Sequence, residues 1–151
     1  MKVVPYIYTI QWGINHCIDI NSTYSLYYYI AGSDLYHYGS RERKKLKNMY
    51  HLSGKVEDHH LIPQKFREHP VILKTQYPIN SSHNIKMMPN RNYDICENIL
   101  KHHAHYHYNN YISKYLDSLK PYNVATQQKH LYLFTKGLNI RLDFKNNLPW
   151  S

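Results

Sequence analysis

The most regular hydrophobic pattern of the chain lies in residues 94–119. This stretch contains no Pro or Gly, and its apolar residues recur at the three- and four-residue spacing of one helix face. Those residues are Ile95, Ile99, Tyr108, Ile112, Tyr115, Leu116 and Leu119. Pro121 follows as a stop signal. The pattern predicts a helix over residues 94–119.

Strand-like patterns lie towards the two ends of the chain. Residues 3–12 and 24–31 are rich in Val, Ile, Tyr and Trp and are separated by turn residues, which predicts a pair of N-terminal strands. Residues 131–144 alternate on both sides of Lys136 and Gly137, which predicts a C-terminal hairpin.

Between these parts, residues 40–50 carry a run of Arg and Lys with Leu46 and Met49 at helical spacing, which predicts a short basic helix ending before Gly54. Its cations either form a solvated helix face or contact phosphate groups. Residues 56–89 are interrupted by four prolines, which forbids long helices and favours loops with short extended pieces.

The composition bounds the class of protein. A chain of 151 residues corresponds to one domain, and 42% hydrophobic residues with 15% aromatics exclude a disordered chain. Cys17 and Cys96 are too few and too far apart for a disulfide framework or a CxxC zinc site and are interpreted as structural thiols. Because we find neither a signal peptide nor a long apolar segment, we expect a cytoplasmic or nuclear protein without membrane association.

The net charge indicates a polyanionic partner. A formal charge of +9 on so short a chain creates a positive field. Nucleic acid is therefore the first partner to consider, and an anionic membrane surface is the second.

The sharpest local motif is Asp58-His59-His60-Leu61-Ile62-Pro63. Adjacent residues of an extended backbone point to opposite sides, so one histidine can hold a metal while the other faces a substrate water. Two exposed loop histidines would give the same pattern. The pair gains weight from two segments further along the chain, Asn84 through Pro89 and His105 through Ile112.

Taken in this order, the three segments resemble the HNH endonuclease superfamily, and within it the group with an Ala-His-His signature. The matching features are a His-His-apolar-apolar-Pro strand, an Asn-centred second strand and a helix in which His105 precedes Tyr108 by three positions. The resemblance covers residues 57–119. Asp58 replaces the Ala, and Lys101 stands where the family has a second helical histidine.

The resemblance implies an α+β fold and a site chemistry. The fold would be a single domain, residues 1–151, with a ββα-metal core made of a short hairpin and helix 94–119, plus the N- and C-terminal strands. His59 and His105 would hold one divalent cation, Mg²⁺, Mn²⁺, Ni²⁺ or Zn²⁺. His60 would be the general base, and Asn84 would orient the His60 segment; a turn-forming Asn84 is the alternative.

Helix geometry suggests the third ligand. At about 100° per residue, His105 lies with Tyr108 and Ile112 on the apolar face, and His102 lies about 60° from it. His102 is therefore the expected companion of His105. His103 and His107 lie nearly opposite and are expected to be exposed, and His103 is the alternative third ligand if a local distortion of the helix turns it inward.

The expected function is a metal-dependent endonuclease that hydrolyses phosphodiester bonds of DNA, and double-stranded DNA is the expected partner. Four cations near the proposed ligands are candidates for contacting the phosphate backbone, although ordinary surface charge is the alternative. They are Lys65, Arg67, Lys86 and Arg91. Other interpretations are a non-catalytic zinc-stabilised nucleic-acid-binding module and a nuclease toxin or RNase. The oligomeric state is left open.

Overall fold

The computed structural model describes residues 34–91, 100–102, 104–142 and 148–150. The two predicted N-terminal strands and both cysteines lie outside these residues. The described part is a mixture of helices and two short strands, so the α+β class is confirmed. Its elements are α1 (Arg41–Met49), β1 (Val56–His60), α2 (Pro70–Thr75), β2 (Ile85–Pro89), α3 (Tyr106–Leu119) and α4 (Val124–Arg141).

The strands form an antiparallel pair in which His59 lies opposite Lys86 and His60 lies opposite Ile85. Residues 61–84 connect them and contain α2, a short helix with Pro70 in its first turn. Helix α2 stops at Gln76, whose left-handed backbone (φ 53°) turns the chain back. The prolines thus allow only the short pieces that the sequence predicts for this region.

The predicted basic helix is α1. Ser40 is its N-cap, and the Ser40 hydroxyl accepts a hydrogen bond from the Arg43 backbone N–H at 3.1 Å. Leu46 is buried on its inner face. Arg43 is also buried, with 1% of its surface exposed, and both Arg43 and Lys47 form 3.0 Å ion pairs with Asp58 on β1. Helix α1 is therefore anchored beside the histidine pair.

The prediction of one helix over residues 94–119 is wrong at its start. The helix begins at Tyr106, and Leu100 through His105 are not helical where they are described. The His102 backbone N–H instead donates to Pro89 O at 2.8 Å, and His102 forms a bridge with Asn90. Pairing with the end of β2 therefore overrides helical spacing in this stretch.

The prediction of a C-terminal hairpin is also wrong, because residues 124–141 form helix α4. The Asn123 side chain caps it by accepting from the Thr126 backbone N–H at 2.8 Å. The buried positions of α4 recur at helical spacing: Gln127, Leu131, Thr135 and Leu138. The apparent alternation around Gly137 arises from partly exposed residues between these positions.

Helix α3 contributes four buried residues to the core, and α4 packs beside it with two. One face of α3 is completely buried and carries Tyr108, Ile112 and Leu116, and it packs in one cluster with Leu61 and Leu131. This packing fixes the start of α3 against the end of β1. Among the described residues, no helix has the length and apolar character needed to cross a membrane.

Candidate active site

Three imidazoles from separate backbone segments meet at one point. His59 lies on β1, His102 precedes α3, and His105 is the N-cap residue of α3. One ring nitrogen from each lies within 4.8 Å of the other two. The ring centroids are 5.3 Å apart for His59 and His102 and 5.1 Å apart for His59 and His105. Such a cluster of nitrogens suits a transition-metal or zinc ion.

His59 has the environment of a metal ligand. Only 2% of its surface is exposed, and its Nε2 atom is buried without a hydrogen-bond partner among the residues that the structure describes. Burial lowers the pKa of His59 well below 6.5, and the neighbouring His105 and His102 lower it further. A neutral imidazole with an unsatisfied buried nitrogen costs stability unless a ligand completes it. The residues present therefore fit a bound cation.

A carboxylate orients His102. Its Nδ1 atom lies 2.5 Å from Oε2 of Glu57, which is half exposed on β1. An Nδ1–H that donates to this carboxylate leaves Nε2 as the nitrogen available to a metal. Glu57 and His59 are two positions apart on the strand and share its side, so β1 supplies one histidine of the cluster and the hydrogen-bond partner of another.

Aromatic rings enclose the cluster. The Trp150 ring centroid lies 5.1 Å from that of His59 and 5.0 Å from that of His105. The Tyr108 ring lies 5.1 Å from the His59 ring, and its hydroxyl donates to Leu61 O at 2.5 Å. Burial raises the pKa of Tyr108 well above 10. These rings keep water from the inner side of the three histidines.

His60 points to the other side of β1. Its Nε2 atom lies 3.0 Å from Oδ1 of Asn80, and its ring centroid lies 4.5 Å from that of Tyr38. Burial lowers the pKa of His60 below 6.5, although the hydrogen bond to Asn80 and the charge of Asp58 act in the opposite direction. The neutral imidazole is therefore favoured in this position.

The partner of His60 decides where its proton resides. The Asn80 side-chain oxygen also accepts from Nε2 of Gln64 at 2.9 Å. Because an amide oxygen has no hydrogen to give, His60 Nε2 must be the donor in its bond to Asn80. The lone pair of neutral His60 is then on Nδ1.

His60 and the three clustered histidines line one cleft of about 210 Å³. Its remaining walls come from Asp58, Pro63 and Gln64. The cleft therefore brings a neutral imidazole and a set of ring nitrogens that could hold a metal to the same small volume.

Asn84 is completely buried immediately before β2 and holds together the connection between the two strands. Its side-chain oxygen accepts from Ile62 N at 2.8 Å and from the Tyr77 hydroxyl at 3.0 Å. Its side-chain nitrogen donates to Ile62 O at 2.9 Å and to Ile79 O at 2.8 Å. The two bonds to Ile62 fix the backbone just after the histidine pair, the other two hold the segment before β2, and Asn84 is not a simple turn residue.

The expected phosphate contacts divide into two groups. Lys65, Arg67 and Arg91 are exposed. Lys86 is 2% exposed, and its ammonium donates to the Asn139 carbonyl on α4 at 2.6 Å. The expectation of a phosphate contact is therefore wrong for Lys86, which serves as a buried link between β2 and α4.

His102 and His105 lie together as the sequence analysis expects, but its geometric argument is wrong. They meet because His102 forms a β-bridge with Asn90 and His105, the N-cap residue, has a non-helical backbone (φ −141°, ψ 60°), not because they share a helix face. His107 is exposed, and His103 lies outside the described residues.

Sequence reasoning missed the residues that support these histidines, namely Glu57, Asn80, Tyr38 and Trp150. All four act across long separations along the chain, and neither periodicity nor the motif signals them. Glu57 is the one exception: a carboxylate two positions before His59 on a strand lies on the same side as His59, which is a signal that the sequence contains.

Two antiparallel strands followed by a helix, with a histidine cluster between them, define the ββα class of nuclease core. The chain belongs to the AHH family, a nuclease family of the HNH/ENDO VII superfamily with a conserved AHH motif; the family model matches residues 40–144. The match begins at the cap of α1 and extends beyond the end of α4. Comparisons with curated proteins and with solved structures gave no match.

Proposed function

We propose that the protein is a metal-dependent endonuclease that hydrolyses phosphodiester bonds of double-stranded DNA. One observation carries this proposal: His60 lines the same cleft as the His59, His102 and His105 cluster but is not part of it. A purely structural metal site has no need of a further neutral imidazole in an open cleft. A hydrolytic site needs a base next to its cation.

His59, His102 and His105 would hold one divalent cation in this cleft. When bound, the cation would neutralise charge on the phosphoryl oxygens and on the leaving oxygen. Glu57 would keep His102 in the orientation needed for binding, and Trp150 would shield the inner side of the cluster.

His60 would act as the general base through Nδ1. Asn80 holds the proton on Nε2, so the opposite nitrogen would accept a proton from the attacking water. Asn84 is the positioning residue for this step, because its two hydrogen bonds to Ile62 fix the backbone that follows His60.

Charge supports nucleic acid as the substrate. The chain carries a formal charge of +9, and Lys65, Arg67 and Arg91 are exposed cations that could contact the phosphate backbone. Binding to non-specific duplex should therefore weaken log-linearly with salt concentration. A flat salt response would favour a protein or a small molecule as the partner.

The test is a plasmid-nicking assay with Mg²⁺, Mn²⁺, Ni²⁺ and Zn²⁺, run with EDTA and with a structured RNA of the same length range as a competing substrate. We expect nicking with at least one cation and none in EDTA. Preferential cleavage of the RNA would reassign the substrate. If no cation supports cleavage, while EDTA unfolds the protein in a thermal melt, a zinc-stabilised binding module would replace the nuclease proposal.

A further inference from the structure

A second hollow lies beside the candidate active site, at the start of α1. It measures about 180 Å³ and shares the Asp58 side chain with the histidine-lined cleft. The lining residues are Gly39, Ser40, Arg43, Lys44, Lys47 and Asp58. None of the roles assigned above uses this hollow as a binding site.

The lining of the hollow is positively charged and partly rigid. Arg43 is held by Asp58 and by the Tyr36 carbonyl, to which its Nη1 donates at 3.2 Å. Lys47 lies 3.0 Å from the same Asp58 oxygen as Arg43. Two of the three lining cations therefore share a single carboxylate, and the hollow retains an excess of positive charge.

Lys44 is the cation that remains available. It is exposed, and within the described ranges no ion pair joins its ammonium to a carboxylate. Its long side chain can therefore move to meet an anion without breaking a contact of the fold. A mobile ammonium beside fixed cations is a suitable arrangement for binding a phosphate group.

We propose that this hollow is a subsite for a backbone phosphate of the substrate, on the strand that passes through the histidine-lined cleft. The inference rests on the proposed function, because it takes the occupant of the cleft to be a nucleic-acid strand. Asp58 forms part of both walls, so an anionic polymer that enters the cleft lies next to the hollow. Phosphates repeat every few ångströms along such a strand, so a neighbouring phosphate can reach Lys44 while the scissile phosphate faces His60.

The test compares Lys44→Gln with Lys45→Gln. Both lysines are exposed on α1 and differ by one position, but only Lys44 lines the hollow. Binding of each protein to a non-specific DNA duplex is measured by fluorescence anisotropy in EDTA over a series of salt concentrations. Neither substitution removes a buried contact, so both proteins should fold.

We expect the Lys44→Gln protein to bind DNA more weakly than the Lys45→Gln protein. The slope of log K against log salt is negative, and its magnitude should fall by about 0.9 in Lys44→Gln, the value for one phosphate contact. In the nicking assay, Lys44→Gln should raise KM and leave kcat unchanged. Equal affinities and slopes for the two variants would overturn the subsite, even if both cleave DNA. A different outcome is that Lys44→Gln alone weakens binding but none of the cations supports cleavage by the wild-type protein. This would overturn the nuclease proposal instead and leave an anion site at α1.

Discussion

His60 and Asn80 are joined side chain to side chain by a 3.0 Å hydrogen bond, across a separation of 20 residues. Asn80 also accepts from Tyr38 N through its backbone carbonyl at 2.7 Å, while the Tyr38 ring contacts that of His60. Asn80, which lies in the connection between the strands, thus determines which nitrogen of His60 carries the proton and holds Tyr38 against the His60 ring.

Replacing Asn80 should therefore impair catalysis without affecting the metal. We expect Asn80→Leu to lower kcat about 10- to 100-fold, the range typical of outer partners that orient a functional histidine. Asn80→Asp keeps an oxygen acceptor and should retain most of the activity. Nitrogen-15 NMR of His60 should show the proton on Nε2 in the wild type and a mixture of tautomers in Asn80→Leu.

Gln64→Ala is the matched control, because Gln64 donates to the same Asn80 oxygen and, among the described residues, has no hydrogen bond with His60. Its kcat should stay close to the wild-type value. A similar loss in Gln64→Ala and Asn80→Leu would mean that the local loop structure matters and that the bond to His60 does not.

His60→Ala tests the base directly. The rate of nicking should fall about 10²-fold or more, because no other neutral imidazole outside the ligand cluster lines the described cleft. Calorimetry should show that this variant still binds the cation, since His59, His102 and His105 are intact. Cleavage at the wild-type rate would remove His60 from the mechanism.

The metal centre predicts an order of affinities. His59→Ala and His105→Ala should lower the affinity for the cation sharply, and His102→Ala should lower it by a smaller but measurable factor. Glu57→Ala should weaken binding by about 10-fold or more through the lost orientation of His102. His107→Ala is the control, because His107 is exposed and does not belong to the cluster. Wild-type affinity in both His105→Ala and His102→Ala would reassign the ligands.

The opposite orientations of His59 and His60 could be predicted from the sequence, because the strand that carries them determines both. A strand sends adjacent side chains to opposite sides, so the histidine pair separates without help from distant residues. The buried amide of Asn84 follows from its place immediately before the second strand.

Long-range contacts explain what sequence reasoning missed. His102 and His105 were placed by helical phase, yet a bridge to Asn90 at the end of β2 sets their positions, and no periodicity reports such a bridge. Helix α4 was predicted as a hairpin because alternation is ambiguous over short windows. In the folded chain, burial of Leu131 and Leu138 against the core decides for a helix.

The ion pairs of Asp58 should contribute strongly to stability. Asp58→Ala removes the carboxylate that faces buried Arg43 and leaves its guanidinium without that charge, which typically costs about 3 to 5 kcal/mol. Urea unfolding should show this loss. Glu68→Ala is the control, because Glu68 pairs with Arg67 at 3.6 Å on the surface and such exposed pairs contribute about 1 kcal/mol or less. Equal stabilities of the two variants would contradict the anchoring of α1 to β1 through Asp58.

His83 should make stability depend on pH. Its ring stacks on Tyr132 with centroids 5.0 Å apart, and its Nε2 lies 2.7 Å from the Thr135 hydroxyl oxygen. Burial, and secondarily the charge of Lys136, lowers the pKa of His83 from 6.5 to about 4. Between these two pH values the unfolded chain binds the proton and the folded chain does not.

The free energy of unfolding should therefore be highest above pH 6.5 and should fall as the pH decreases towards 4, by about 3 kcal/mol from this residue alone. Urea unfolding at a series of pH values measures the slope, and His83→Gln should make it shallower than in the wild type. His130→Gln, at an exposed position on α4, controls for the change in net charge. If His83→Gln and the wild type lose stability in parallel on acidification, the neutral buried state of His83 is not what makes the fold sensitive to acid.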